Sequence, residues 1–464
     1  MINRALLLPL LALGACSMAP KYVQPAAPVP TSWPVGDAYL ARSEAGLPLV
    51  SHTQVFRDAR LQALIDQALA NNRDLRVTAA NVVAARAQVR VTRANQFPQI
   101  VVGGSATQTE ANGGSTGDGS FYAVQAGVSS FELDLFGKLA NATEAQRNSA
   151  LATEAAARTV RLGMVADLAL AWASYAANRD LLAIAEVTAA NAQRSVELTG
   201  ARLKGGIAPR TDVRQAEQIL ETARGDVARL TAALAQDENA IRLLVGAEFD
   251  KALLPAGIDE VNAGLSRLPA GTSSQVLLRR PDVISAEYDL RTANADIGVA
   301  RAQLFPSISL TGLLGFASDA LSGLFRNGAF QATAGADANW SIFNAGGRLA
   351  SVEVSKAQRD AALATYENAI QSAFREVADA LADQGTLDER LRAASAFTAA
   401  AADTAKLTEA RYRFGVASFL DNLDAQRSLY AARQAEVAVR LALAANRVTL
   451  YRVLGGDQAT AAAE

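Results

Sequence analysis

The chain has 464 residues, half of them hydrophobic, with 44 basic side chains against 46 acidic ones. This near-balance argues against a nucleic-acid binder, whose affinity depends on clustered positive charge, and the apolar half is enough to bury a sizeable core. One Cys and one His in the whole chain rule out an intrachain disulfide and leave no basis for a Cys/His zinc site.

Residues 1–16, MINRALLLPLLALGAC, place Arg4 before an apolar run from Ala5 to Leu13 and end in Gly14-Ala15-Cys16. The run falls short of the roughly 20 residues a bilayer span needs, so residues 1–15 read as a secretory signal. Residues 16–50 carry Pro20, Pro25, Pro28, Pro30, Pro34 and Pro48, the composition of an extended linker. His52, in the polar stretch SHTQ, has no evident partners to make it a base and reads as an ordinary surface residue.

Beyond the linker the chain repeats itself once. Arg93, Ala94, Phe97, Pro98 and Ile100 recur as Arg301, Ala302, Phe305, Pro306 and Ile308. Gly206, Asp212 and Gly246 recur as Gly415, Asp421 and Gly455. The first half, 51–255, is predicted to hold a helix near 58–95, a β-hairpin over 97–134, a long helix 138–204 and a helix 211–245. The second half, 256–456, repeats the plan with a helix 282–303, a hairpin 305–343, a long helix 346–413 and a helix 420–454. Residues 457–464 are a short tail. No proline falls between Pro98 and Pro209 or after Pro306. Proline breaks helix interiors, so its absence permits helices of about 100 Å at 1.5 Å per residue. Gly163 and Gly385 are the positions where they would be interrupted.

The strands alternate. Ala332, Ala334, Ala336, Ala338, Trp340 and Ile342 are spaced by Gln331, Thr333, Gly335, Asp337, Asn339 and Ser341. In the partner strand Ile308, Leu310, Leu314 and Phe316 share one face, and small or polar residues hold most of the other. Such alternation over about ten residues marks a transmembrane barrel strand, although a soluble half-exposed sheet shows it too. The secretory signal and the lack of a second sheet to pack against favour the membrane. Phe131, Phe136, Trp340 and Phe343 lie where strands end, as interfacial aromatics would. A membrane sheet must close on itself, and one chain offers four strands where single-chain barrels start at about eight. Closure therefore requires several copies. Gly113-Gly114-Ser115-Thr116-Gly117 fits a nucleophile-elbow pattern, but it lies in a Gly/Ser-rich hairpin tip with the only His upstream, and reads as a loop.

Three stretches carry a resemblance: LLRRPDVISAEYDLRTANADIGVARAQLFPSISLTGLLG at 277–315, FELDLFGK at 131–138 and ARYRFGVASFLDNLDAQRSL at 410–429. They are similar to the TolC-like outer-membrane efflux proteins. Leu13-Gly14-Ala15-Cys16 resembles a lipobox followed by Ser17, which points to the lipoprotein branch often called NodT-type. The resemblance implies a mixed fold, a membrane β-barrel joined to a long α-helical barrel. The assembly would be a trimeric duct with four β-strands per protomer and two internally repeated halves. It implies a lipid on Cys16, outer-membrane localisation with a large periplasmic portion, no other cofactor, no metal and no enzymatic activity. The implied partners are two further copies, a periplasmic adaptor (membrane fusion) protein and an inner-membrane resistance-nodulation-division pump, with drugs or other small toxic compounds as cargo. A type I secretion outlet for a protein substrate shares this architecture. A periplasmic adaptor lipoprotein is the alternative of a different class, and it would need no lipid-facing strands.

The resemblance also implies a periplasmic gate. Asp421 and Asp424 match acidic constriction positions, Leu420 an apolar position of the same aperture, and Asp212 and Tyr412 a hydrogen-bonding pair that holds the coils shut. Where some members place an Arg in the turn, this chain has Ala417, which implies either a weaker lock or substitution by Arg210, Arg411 or Arg413. Asp421 and Asp424 also stand three apart, on one helical face. Like charges gathered around a symmetry axis raise one another's pKa values and attract cations.

Overall fold

The computed structural model describes residues 17–36, 38–39, 51–109, 119–266, 274–326 and 328–456. The signal segment, Cys16, most of 37–50, the 113–117 tip and the tail lie outside them.

A one-turn helix α1 (His52–Val55) precedes α2 (Ala59–Asn71) and α3 (Arg73–Ala94). The single helix expected near 58–95 is thus divided, and Asn72 divides it. Its Oδ1 accepts from the N–H groups of Asp74 and Leu75, at 2.9 and 3.1 Å, capping α3. Its Nδ2 donates to the Leu244 carbonyl at 2.7 Å. A buried Asn satisfied three times over outweighs one continuous helix.

β1 (Ile100–Thr109) and β2 (Gly119–Glu132) follow, then α4 (Lys138–Lys204) and α5 (Arg210–Val245). The short α6 (Ile258–Gly264) and α7 (Pro281–Ala302) lead to β3 (Ser307–Ser318) and β4 (Phe330–Asn339). The chain closes with α8 (Gly347–Arg413) and α9 (Phe419–Val453). Both long helices run 67 residues, and neither Gly163 nor Gly385 interrupts them. At Gly385 the missing side chain has a use: a Cβ there would lie 2.1 Å from the Ala38 carbonyl oxygen. The helix continues, and the bare backbone admits the linker.

Backbone conformation repeats along with the sequence. Gly206 and Gly415 have φ of 74° and 73°, and Gly246 and Gly455 both 74°. All four sit in the left-handed conformation that ends helices and that Gly adopts without strain.

The chain forms two compact units, and each draws on both halves of the sequence. The first comprises residues up to Ala26, Ala80–Ala155 and Ile284–Asn368. Its centre is one antiparallel sheet in the order β1-β2-β3-β4. Asn294 donates to the Pro20 carbonyl at 2.8 Å and Arg301 to that of Met18 at 3.1 Å, which lays the start of the linker along α7. The second unit comprises Ala27–Ala79, Ala156–Val283 and Ala369 onward. Its core holds Leu61, Leu64, Ile65, Leu168, Trp172, Ile241, Ile258, Leu277 and Tyr451, all fully buried. Here Trp33 of the linker is buried and stacks on Phe374 with ring centroids 4.7 Å apart. The described linker has no helix or strand, as its prolines require, yet it is docked.

Candidate functional site

Two features have the geometry of a functional site: the sheet of the first unit and the coil tips of the second.

In the sheet, residues paired directly across antiparallel strands share a face. Ile308, Leu310, Gly312, Leu314 and Phe316 pair with Ala338, Ala336, Ala334, Ala332 and Phe330. On the other side Val124, Ala126, Val128 and Phe131 pair with Phe316, Leu314, Gly312 and Leu310, and Ile100 and Val102 with Val128 and Ala126. One face is therefore apolar across all four strands. The opposite face carries Ser105, Thr107, Gln125, Ser307, Ser309, Thr311, Gln331, Thr333, Asp337 and Asn339. The apolar face is open: Ile100 is 79% exposed and Leu314 57%. Every residue of β1 and of β4, the two margins, is exposed. The central seam is tight. Gly127, at φ 146°, borders a bulge before Phe131, and a Cβ on it would lie 2.1 Å from the Gly312 carbonyl oxygen.

The aromatics named from sequence gather at the end of the sheet that joins the helices. Phe136 stacks on Phe305 at 4.6 Å, and Trp340 donates to the Leu304 carbonyl at 3.0 Å while remaining 54% exposed. Phe343 is exposed, and Phe131 lies inside β2. The strand expected to reach residue 343 stops at Asn339, because the chain turns through Ala345 and Gly346, at φ 52° and 84°, into α8. A second aromatic set at the far end was not read from sequence. Phe316 meets Phe325 and Phe330 edge-on, at 5.5 and 5.8 Å. The signal was present in Phe330, one step before the alternating run. Along β4 the two sets are about ten residues apart, roughly 33 Å. A strand tilted by about 40° would bring that close to the 25 Å apolar band of a membrane barrel.

At the coil tips both turns close alike. Ile207 N–H donates to Arg202 and Val416 N–H to Arg411, at 3.0 and 2.8 Å, each across a left-handed Gly. The first turn of α9 then sorts its residues by face. Phe419 and Leu423 are buried against Tyr412 of α8 and Ala216 of α5, and Asn422 is buried with them. The helical period places Leu420, Asp421 and Asp424 on the other, exposed face. The structure thus brings these three together. Asp421 has a further attachment: its Oδ2 accepts from the Ser418 N–H and Ser418 Oγ from the Asp421 N–H, both at 3.2 Å, a reciprocal cap. Asp424 lies 3.9 Å from the Arg427 guanidinium.

The expected Asp212–Tyr412 hydrogen bond is absent within the chain. The Tyr412 ring is held between Phe419, at 5.4 Å, and the Arg202 guanidinium, 4.4 Å from its centroid. Its buried hydroxyl finds no partner. Asp212 instead occupies the first turn of α5, where the helix dipole favours an acid. No arginine pairs with it among the described residues, and Arg413 is taken by Glu409. A side-chain bond between α5 and α9 comes from Tyr430, whose hydroxyl donates to Asp226 at 2.7 Å. Burial, and then the Asp226 carboxylate, push the Tyr430 phenol well above its ordinary value. Among the described residues no cluster of acids, His and Cys is arranged to hold a metal ion.

Set beside known proteins, the chain matches the family described as "Outer membrane efflux protein" twice, over residues 64–247 and 272–456. It is 40% identical over 452 residues to a toluene efflux pump outer membrane protein, TtgC, of Pseudomonas putida, covering 96% of this chain and 93% of that one. It is 37% identical over 446 residues to the cation efflux system protein CusC of Escherichia coli, covering 96% and 97%. A crystal structure of CusC superposes with a TM-score of 0.85 at 37% identity, covering 95% of this chain and all of the other.

Proposed function

The chain belongs to the outer membrane efflux protein family, and from that premise we propose that three copies close their sheets into one twelve-stranded barrel. The observation that carries this is the apolar face, continuous over four strands and open at both margins. Hydrocarbon offers no partner for the free N–H and C=O groups of β1 and β4, so the margins of one copy pair with those of the next. Polar residues from Ser105 to Asn339 then line a lumen. Helices α4, α5, α8 and α9 of the three copies continue the duct into the periplasm. The two halves of the sequence act as structural repeats, and a lipid on Cys16 fixes the N-terminus to the inner leaflet.

The duct is passive and moves small toxic compounds outward. An inner-membrane pump of the resistance-nodulation-division type supplies the energy, and a periplasmic adaptor joins pump to duct. Relatives named for toluene and for cations suit an outlet whose cargo is chosen by the pump. Leu420, Asp421 and Asp424 form the gate. Three-fold symmetry gathers six carboxylates and three leucines around one axis, an aperture that is narrow and attracts cations.

Because Asp421 also caps α9, removal of its charge must preserve the cap. Asp421→Asn keeps an acceptor for the Ser418 N–H, and Asp424→Ala needs no such care. In planar bilayers the double variant is expected to conduct severalfold more than the wild type and to lose cation selectivity. Unchanged conductance and selectivity would remove these acids from the gate. For the anchor, Cys16→Ser is expected to abolish labelling by radioactive palmitate; persistent labelling places the lipid elsewhere.

A further inference from the structure

Between the two helix pairs of the second unit lies a cavity of about 660 Å³, bounded by α4, α5, α8 and α9. Its size is that of a small-molecule site. Leu198, Ile219, Phe419 and Leu429 give it apolar walls. Around these stand four cations, Arg194, Lys406, Arg413 and Arg433, and a single carboxylate, Glu409. That carboxylate is committed to Arg413. Arg194 reaches only the side-chain oxygen of Asn191. Lys406 and Arg433 have no carboxylate within salt-bridge distance among the described residues. The nearby Asp226 is engaged by Tyr430 and by Arg229. In a chain with a slight acidic excess, three cations without counter-ions around one cavity with apolar walls on one side are an uncompensated feature.

A second observation points the same way. Tyr412 lines the cavity and is 7% exposed, yet its hydroxyl has no hydrogen-bond partner. A buried phenol is seldom left unpaired, and the Arg202 guanidinium over its ring adds another positive charge beside it. The hydroxyl is a buried donor without an acceptor, although it has no surface open to the cavity.

We propose that this cavity binds a small anionic amphiphile, a carboxylate or sulfonate on an aromatic or similarly apolar body. The body packs on Leu198, Ile219, Phe419 and Leu429, and the anionic head sits among Arg194, Lys406 and Arg433. An occupant that touches all four helices favours whichever spacing of the pairs fits it best. Binding therefore shifts the duct between closed and open. That consequence rests on the gate reading; the binding itself does not.

Pyrene-1-butyrate and its neutral counterpart pyrene-1-butanol test the claim against the full-length protein in lipid nanodiscs, with empty nanodiscs subtracted. The butyrate is expected to bind saturably, one per chain, and about tenfold more tightly than the alcohol, since charge-assisted hydrogen bonds discriminate at that level. Lys406→Gln with Arg433→Gln is expected to remove most of that preference and leave the alcohol unaffected. Lys406 is exposed, so Lys406→Gln alone serves if the double variant folds poorly. Equal affinity for the two probes, wild-type affinity in the lysine variant, or no saturable site because a neighbouring subunit fills the cavity would each overturn the proposal. A saturable site with no change in single-channel conductance would retain the binding and sink its link to the gate.

Discussion

At the scale of single residues, several side chains do work that their type alone does not announce. Asp58 caps α2 through the Arg60 N–H at 2.8 Å and also pairs with the Arg60 guanidinium at 2.7 Å. The Arg60 side chain is the chief reason its carboxyl sits below the ordinary value of 3.8. A depressed carboxyl stabilises the fold above its unfolded pKa and ceases to as pH falls through its folded one. Asp58→Asn, which keeps the cap, is expected to cost about 0.5–1 kcal/mol at neutral pH, modest because Arg60 is partly exposed. That difference in melting temperature, followed by circular dichroism, is expected to shrink as pH falls below about 4; a gap that stays constant down to pH 2 would contradict the assignment. Asp421 and Asp424 were legible from sequence as a pair on one helical face. The reciprocal cap on Ser418 was legible too, in the spacing Ser-x-x-Asp, but went unread. The environment of Tyr412 was not legible, because Phe419 and Arg202 reach it through the turns and not through local spacing.

At the scale of elements, the long helices were the most readable. Proline-free stretches ending in Gly turns predicted 138–204 and 346–413, and the helices run Lys138–Lys204 and Gly347–Arg413. Strand ends and helix breaks were less so, since Asn72 divides α2 from α3 by tertiary bonds to a carbonyl over 170 residues away. The bulge between Val128 and Phe131, which Gly127 borders, was also hidden, because alternation fixes faces but not register defects. That bulge supplies the test at this scale. Gly127→Val places a side chain against the Gly312 backbone and is expected to cost more than about 2 kcal/mol. Gly103→Val, on β1 with open space around its Cβ position, is the control and is expected to be tolerated. The readout is the amount of heat-resistant oligomer recovered from outer membranes. Equal recovery of the two variants would show that the close approach is unimportant.

For the whole molecule, the sequence carried the argument for assembly in one count: four strands where closure needs more. The sheet order and the open margins of β1 and β4 give that count its geometry. The detergent-corrected mass of the purified chain, by sedimentation, is expected to be three times that of a protomer. A stable monomer that keeps its sheet would end the barrel reading. Less legible was the way the chain divides. The sequence repeat marks two halves but not the compact units, each of which interleaves both, because the sheet joins one hairpin from each half.

The seam between β2 and β3 also bears on how the protein is made. Val128 pairs with Gly312, so the amino-terminal hairpin is synthesised about 180 residues before its mate, and contacts so far apart in sequence form slowly. During that interval the apolar face of the first hairpin has no neighbour. A fragment ending before residue 256 would carry only β1 and β2, half of the sheet, and would leave the β2 edge that β3 covers unpaired.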